Sequence, residues 1–462
     1  MTTYSTASPA PPAVHAALCV LLAFLTGGCS VSSRNGDAAT RSSDGTTPLS
    51  QMIAAGDSAG IATKARSECS QLGATGMVPC YEKFLLPVAE AGRVRVALGA
   101  LNSLAALNAE VMRNGHVYAH GIGIAAGKAG DSVARTFSEC TEVFQSGCYH
   151  GVIQAYFAAA GQVGATEINA LCEPFRASES DRWILFQCVH GMGHGLTALN
   201  GHDLPRGLDG CDLLKAWWDR NSCYGGAFME NIVNATAPHH GAARPAPAAA
   251  GDGSDAHAGM DHGGDHVETG KAPGPATAKF KAVDASDPLY PCSIMADRYL
   301  AACYQMQTSV MLYHTRGDFA AAARMCETAP ARMRAVCHAS LGRDANAYAL
   351  QDQAAALLLC AAASSKYQPW CISGLVKNVI DVGSRADDGI ALCRKIEAGP
   401  NKIMCYTSVG QQIAVLKGTP DDRAAACTGG EAAYVKPCLY GAGVTMVIPP
   451  ELAPVLALGN GR

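Results

Sequence analysis

The chain has 462 residues and a formal net charge of −4, with 35 basic side chains against 39 acidic ones. Charged residues make up only 16%, so the basic footprint of a nucleic-acid binder is missing and no nucleic-acid partner is expected. Twenty cysteines leave two options: ligands and thiols in a reducing compartment, or a disulfide framework in an oxidising one.

The amino terminus favours the second option. Ala16 to Thr26 is an apolar run of 11 residues, too short to span a bilayer and of the length of a signal h-region. It ends at Thr26-Gly27-Gly28-Cys29, which resembles the lipobox of bacterial lipoproteins. The segment departs from that pattern in having Thr26 where leucine is usual, and no Lys or Arg before His15. The resemblance implies export, with a lipid on Cys29 holding the chain to a membrane. Residues 30–60 are polar and small, and read as a flexible tether.

Setting Cys19 and Cys29 aside, eighteen cysteines fall into nine successive pairs: 69/80, 140/148, 172/188, 211/223, 292/303, 326/337, 360/371, 393/405 and 427/438. In the carboxyl half the first members stand at 292, 326, 360, 393 and 427, a step of 33 or 34. Such a period marks a repeat protein with room for two helices and two turns per unit. From Asp318 an Ala-rich helix runs to a turn at Pro330, and a longer helix follows through about Leu350. The first cysteine lies near the end of helix one and the second near the start of helix two. An αα-hairpin brings these positions together, which suits a disulfide worth roughly 3 kcal/mol of loop closure. C-x2-C zinc knuckles are absent. Three residues after seven of the nine second cysteines stands a small residue (Gly151, Gly191, Gly226, Ser340, Gly374, Ser408, Gly441), Met306 being among the exceptions. These positions read as close helix packing, not as a phosphate loop.

Two irregularities interrupt the step. Between Cys211 and Cys292 there is a surplus of about one and a half units, mapped to Ala235–Ser286, rich in Ala, Gly, Pro, His and Asp and expected to be a disordered insertion. Between Cys69 and Cys140 one unit lacks cysteines, and Tyr118 takes the slot. That makes about ten units. A helical repeat of this period over 61–445 resembles the tetratricopeptide and Sel1-like α-solenoids, with cysteine pairs in place of their Trp, Leu-Gly and Tyr pattern. The amino-half phrases Cys-Tyr-His-Gly and Cys-Val-His-Gly-Met-Gly-His-Gly resemble those of uncharacterised bacterial secreted proteins, which implies no function.

Chemistry concentrates two residues after the cysteine slot. The carboxyl half has Gln305, Ala339, Ser373, Thr407 and Tyr440 there, whereas three successive amino-half units have His120, His150 and His190. On stacked helices these would line one face about a helix diameter apart. His116 and His194 add i, i+4 partners to His120 and His190, the usual way a helix presents two nitrogen ligands. Met229 shares the His194 register, and its thioether would favour copper(I) over the other metals that imidazole suits. Glu230 falls roughly 140° around the helix from the register of His120, His150 and His190, which makes it a poor general base. No His-Glu-x-x-His signature, catalytic triad or free thiol nucleophile is present. Within the insertion, His239, His240, His257, Met260, Asp261, His262, Asp265 and His266 resemble the metal-collecting segments of bacterial copper-handling proteins.

The expected molecule is therefore an all-α solenoid of about ten αα-hairpins, stapled by sequential disulfides and exported to the periplasm or cell surface. Its parts are a signal peptide (1–28), a tether (29–60), amino-terminal repeats carrying the histidines (61–234), the insertion (235–286), carboxyl-terminal repeats (287–445) and a tail (446–462). Three functions stay open. A copper or zinc ion could be bound and handled by His116, His120, His150, His190 and His194; the solenoid could be a scaffold for protein partners with structural histidines; or the cluster could serve a metal-dependent enzyme.

Overall fold

The computed structural model describes residues 47–130, 132–176, 182–236 and 280–459. Among these, helices and turns account for the whole chain, and no helix is long and apolar enough to cross a membrane. The signal peptide, Cys19, Cys29 and the insertion's histidines lie outside the described residues. Helix begins at Leu49–Ala55, inside the stretch expected as a tether, and resumes at Ser58–Cys69, which starts just before that stretch ends. Met52 is buried in the core, which ties this segment down. At the other end, in the expected tail, Leu452 and Val455 pack on Met404 and Trp370, and Ala453–Gly459 is helical.

Between these ends the chain forms ten units, nine of them αα-hairpins among the described residues and unit 6 opening instead on the short turn Cys292–Ile294. The hairpin drawn at Pro330 is typical: Phe319–Thr328, capped by the Asp318 carboxylate on the Ala321 N–H, then Ala331–Tyr348. The second helices of units 2 to 5 are Gly115–Ala129, Gly147–Ala160, Arg182–Leu199 and Trp217–Thr236. Those of units 7 to 10 are Ala331–Tyr348, Gln368–Gly383, Pro400–Leu416 and Val435–Gly441. Each second helix packs on that of the next unit, forming an inner layer.

All nine cysteine pairs are disulfides, with Cα atoms 5.4 to 5.8 Å apart. Eight of them join the end of a first helix to the second helix of the same unit, whereas in unit 6 Cys292 opens the short turn Cys292–Ile294 and Cys303 lies near the end of Asp297–Tyr304; none links one unit to another. So many intrachain disulfides suit an oxidising, extracellular environment.

The inner layer is set by glycine. A side chain at Gly151 would overlap the His120 carbonyl oxygen, and one at Gly123 would overlap that of Cys148. The same reciprocal pair recurs as Gly226 on His190 with Gly193 on Cys223, Gly374 on Ala339 with Gly342 on Cys371, and Gly441 on Thr407 with Gly410 on Cys438. Units 2/3, 4/5, 7/8 and 9/10 thus meet backbone to backbone, with Cα–H groups against carbonyl oxygens. The glycine five residues past the cysteine slot is the half of this pattern that spacing alone did not reveal. Interfaces between these pairs use side chains instead: Ser408 donates to Ser373 at 2.7 Å, and Thr308 and Ser340 share a 2.6 Å hydrogen bond. In unit 6, where Met306 replaces the small residue, the second helix is broken between Asp297–Tyr304 and Gln307–Thr315.

Close spacing on the inner side curls the array until it meets itself. The second helix of unit 4 touches that of unit 9, and Gln351 Nε2 donates to Met112 Sδ at 3.6 Å across 239 residues of sequence. A methyl group added at Gly374 has only backbone to push against, so Gly374→Ala should lose roughly 1 to 3 kcal/mol of unfolding free energy. Gly429→Ala, where the added carbon finds ordinary contact distances, should lose little. Equal urea midpoints for the two variants would contradict the close-approach account.

Candidate metal centre

The curl and the glycine contacts together change what the histidine register means. A ladder of imidazoles one helix diameter apart was expected; the rings instead gather into one cluster. Ring centroids lie 4.9 Å apart for His150–His190 and His150–His194, 5.3 Å for His190–His194 and 5.4 Å for His120–His194. His116 completes it at 5.5 Å from His150, 6.2 Å from His120 and 6.4 Å from His194. All five histidines named from sequence are therefore neighbours, and unit 2 reaches unit 4 because glycine lets the intervening helix sink between them. His120, His150, His190 and His194 are buried, and His116 is half-buried at the edge.

Each of four rings gives one nitrogen to an acceptor. His116 Nδ1 bonds the Phe144 carbonyl at 3.0 Å, His150 Nε2 bonds Gln187 Oε1 at 3.0 Å, and His194 Nδ1 bonds Glu230 Oε2 at 2.9 Å. His190 bonds the backbone of Ser222. A neutral ring facing an acceptor carries its proton there, which leaves a lone pair on the other nitrogen. The remaining nitrogens of His150 (Nδ1) and His194 (Nε2) are buried without a hydrogen-bond partner. Buried acceptors left in this state call for a reason. Nitrogens of His150, His190 and His194 lie within 4.8 Å of one another, as do ligand atoms of His120, His194 and Glu230. Two nitrogens on one tetrahedral zinc are about 3.4 Å apart, given bonds of ~2.1 Å, so modest ring rotation would close either set on an ion.

Burial, then the neighbouring rings, pushes the His150 and His190 values well below the ordinary imidazole range. Burial first and His116 second lower His194 to about 3, and burial lowers His116. These shifts favour the neutral form of His116, His150, His190 and His194, the form that binds a metal without first releasing protons. Glu230 is buried against His194, where a carboxylate could join the imidazoles around a cation.

Glu230 is a correction to the sequence reading. The separation of roughly 140° runs from the His120, His150 and His190 register, occupied here by Gly225, and holds only if every helix faces the cluster identically. Gly226 instead presses its own side of the helix onto His190, and Glu230 stands one turn beyond Gly226 on that side. Glu230 therefore faces the cluster and Met229 is half-buried beside it. Its Oε1 is also 3.3 Å from Nδ1 of His202, a further residue that the register did not include. Gln187 was missed although it precedes His190 and His194 at i, i+3, i+7, a visible helical face. The Phe144 carbonyl has no side-chain signal at all.

No known protein family, curated protein or solved structure matches the chain, so no function is carried over from a relative.

The pH dependence of stability follows from these groups. In the unfolded chain the imidazoles protonate near pH 6.5, whereas in the fold they stay neutral well below it. The unfolded state therefore binds more protons, and the stabilisation is full above about pH 6.5 and is lost as pH falls towards about 3, the His194 value. The urea midpoint of the metal-free protein should fall steadily as pH is lowered from about 7 to about 4.5. A His150→Gln/His190→Gln variant should decline less steeply, and identical slopes would refute the assignment.

Proposed function

We propose that the protein binds and handles a transition metal, copper or zinc, at the cell envelope, with the ion held among His116, His120, His150, His190 and His194. One observation carries the reading: four imidazoles each commit one nitrogen to an acceptor, and two of the nitrogens left over are buried with nothing to bond. This is how proteins orient histidines toward a metal, the outer partner fixing both ring and tautomer. Glu230, Gln187 and the Phe144 carbonyl would be those outer partners. Imidazole donors with a nearby carboxylate suit zinc and copper.

Two features weigh against the rival readings. A scaffold works through an open concave face, and here the inner helices of units 4 and 9 meet across it. An enzyme needs a substrate-sized opening over the ion, and the cavity beside His116 has a volume of only about 70 Å³, enough for a few waters. Export, a lipid anchor at Cys29 and metal collection by the histidines of 239–266 complete the proposal, supported by the sequence and by the oxidising environment that nine disulfides require.

The test is metal retention by a chain whose residues 237–279 are replaced by a short glycine–serine linker, since their own histidines would bind metal. After exposure to copper or zinc and removal of loose ions, about one ion per chain should remain. None should remain in a His150→Ala/His194→Ala variant whose circular dichroism is unchanged. Glu230→Gln should keep the stoichiometry but weaken affinity by roughly 10- to 100-fold. An ion-free parent protein would overturn the proposal.

A further inference from the structure

The cavity of about 70 Å³ lies where the two halves of the array face one another. Its walls include Met112, His116 and Gln145 from the amino half and Asn346, Leu350 and Gln351 from the carboxyl half. His116 belongs to both places. It is the one cluster histidine that is not fully buried, and its ring lies against His120, His150 and His194 on the inner side. Any ion travelling from this cavity to the buried nitrogens passes His116 first.

The backbone around the cavity is unusual on both sides. Phe144, Gln145 and Ser146 are three consecutive non-glycine residues with φ of 54°, 55° and 61°. Opposite them, Leu350 and Gln351 have φ of 51° and 66°. Left-handed backbone at non-glycine residues costs energy and persists where the surrounding structure enforces it, characteristically at functional sites. Here the first turn has an evident use: it aims the Phe144 carbonyl at His116 Nδ1, with the Phe144 ring resting where Gly115 has no side chain. The second turn delivers Gln351, whose amide reaches Met112 Sδ.

Five of these cavity residues offer a donor atom: one thioether, one imidazole and three amide side chains. A thioether is a soft donor with a preference for copper(I) and little for zinc. We propose that this cavity is the entrance to the metal centre, with Met112 and His116 as the first ligands an incoming ion meets, and that the thioether makes it an entrance for copper(I). The inference rests on the metal-binding reading and names the ion and its route. Gln351, held on Met112, covers the thioether until an ion displaces it.

Uptake kinetics test this independently of final occupancy. The metal-free protein with residues 237–279 replaced by the same linker is mixed, without oxygen, with copper(I) supplied as its bicinchoninate complex, and separately with a zinc salt. Met112→Leu keeps the volume of the side chain and removes the sulfur. It should slow copper(I) uptake at least tenfold, leave the amount bound at equilibrium unchanged, and leave zinc uptake at the parental rate. Equal slowing of both ions would make Met112 a packing residue and overturn the proposal. So would parental rates for both ions in a variant that still holds one ion per chain, although the buried centre would then stand. A parental protein that holds no ion at equilibrium would overturn the entrance and the centre together.

Discussion

A glycine Cα–H group resting on a carbonyl oxygen of the neighbouring helix sets the spacing of this molecule. The contact occurs in reciprocal pairs, Gly123 with Gly151, Gly193 with Gly226, Gly342 with Gly374 and Gly410 with Gly441. It draws the backbones of the inner layer together in alternate interfaces. Because the outer helices lack this closeness, the layers differ in circumference and the array must bend. The bend brings unit 4 to unit 9 and leaves the inner polar side chains facing one another instead of solvent.

The histidine cluster is a product of that geometry. Imidazoles on three separate units become ring neighbours only because the helices carrying them approach so closely. The same contact turns Glu230 inward, because the turn that follows Gly226 is pressed against His194. Packing and site chemistry are therefore not separable in the amino half: the residue that spaces the helices also aims the carboxylate. In the carboxyl half the inner layer carries Asn346, which donates to Asn378, and Ser408, which donates to Ser373. The fold is common to both halves, and the occupants of the inner positions differ.

The repeat was legible because cysteine marks it. Each pair sits at a fixed place in a hairpin, so period, helix count and disulfide connectivity could be read from numbers alone, and even the unit without cysteines was recovered through Tyr118. The five histidines were legible because they share an offset from that mark. What could not be read was anything that depends on how one helix crosses the next. By register alone Met229 falls toward the cluster and Glu230 away from it, since spacing along a helix does not give the helix's rotation about its axis. The tight cluster, the carbonyl of Phe144 and the cavity between distant units arise from curvature, and curvature accumulates over units without appearing in any one of them.

The disulfides have a consequence of their own. Every bridge closes between cysteines 8 to 16 residues apart, and the two partners are always consecutive in the sequence. A chain entering an oxidising compartment amino end first would thus present each cysteine with its correct partner next. Oxidation can follow the order of arrival, each hairpin being locked before the following one emerges. Eighteen cysteines, which in an interlaced framework would generate a vast number of wrong pairings, reduce here to nine local choices.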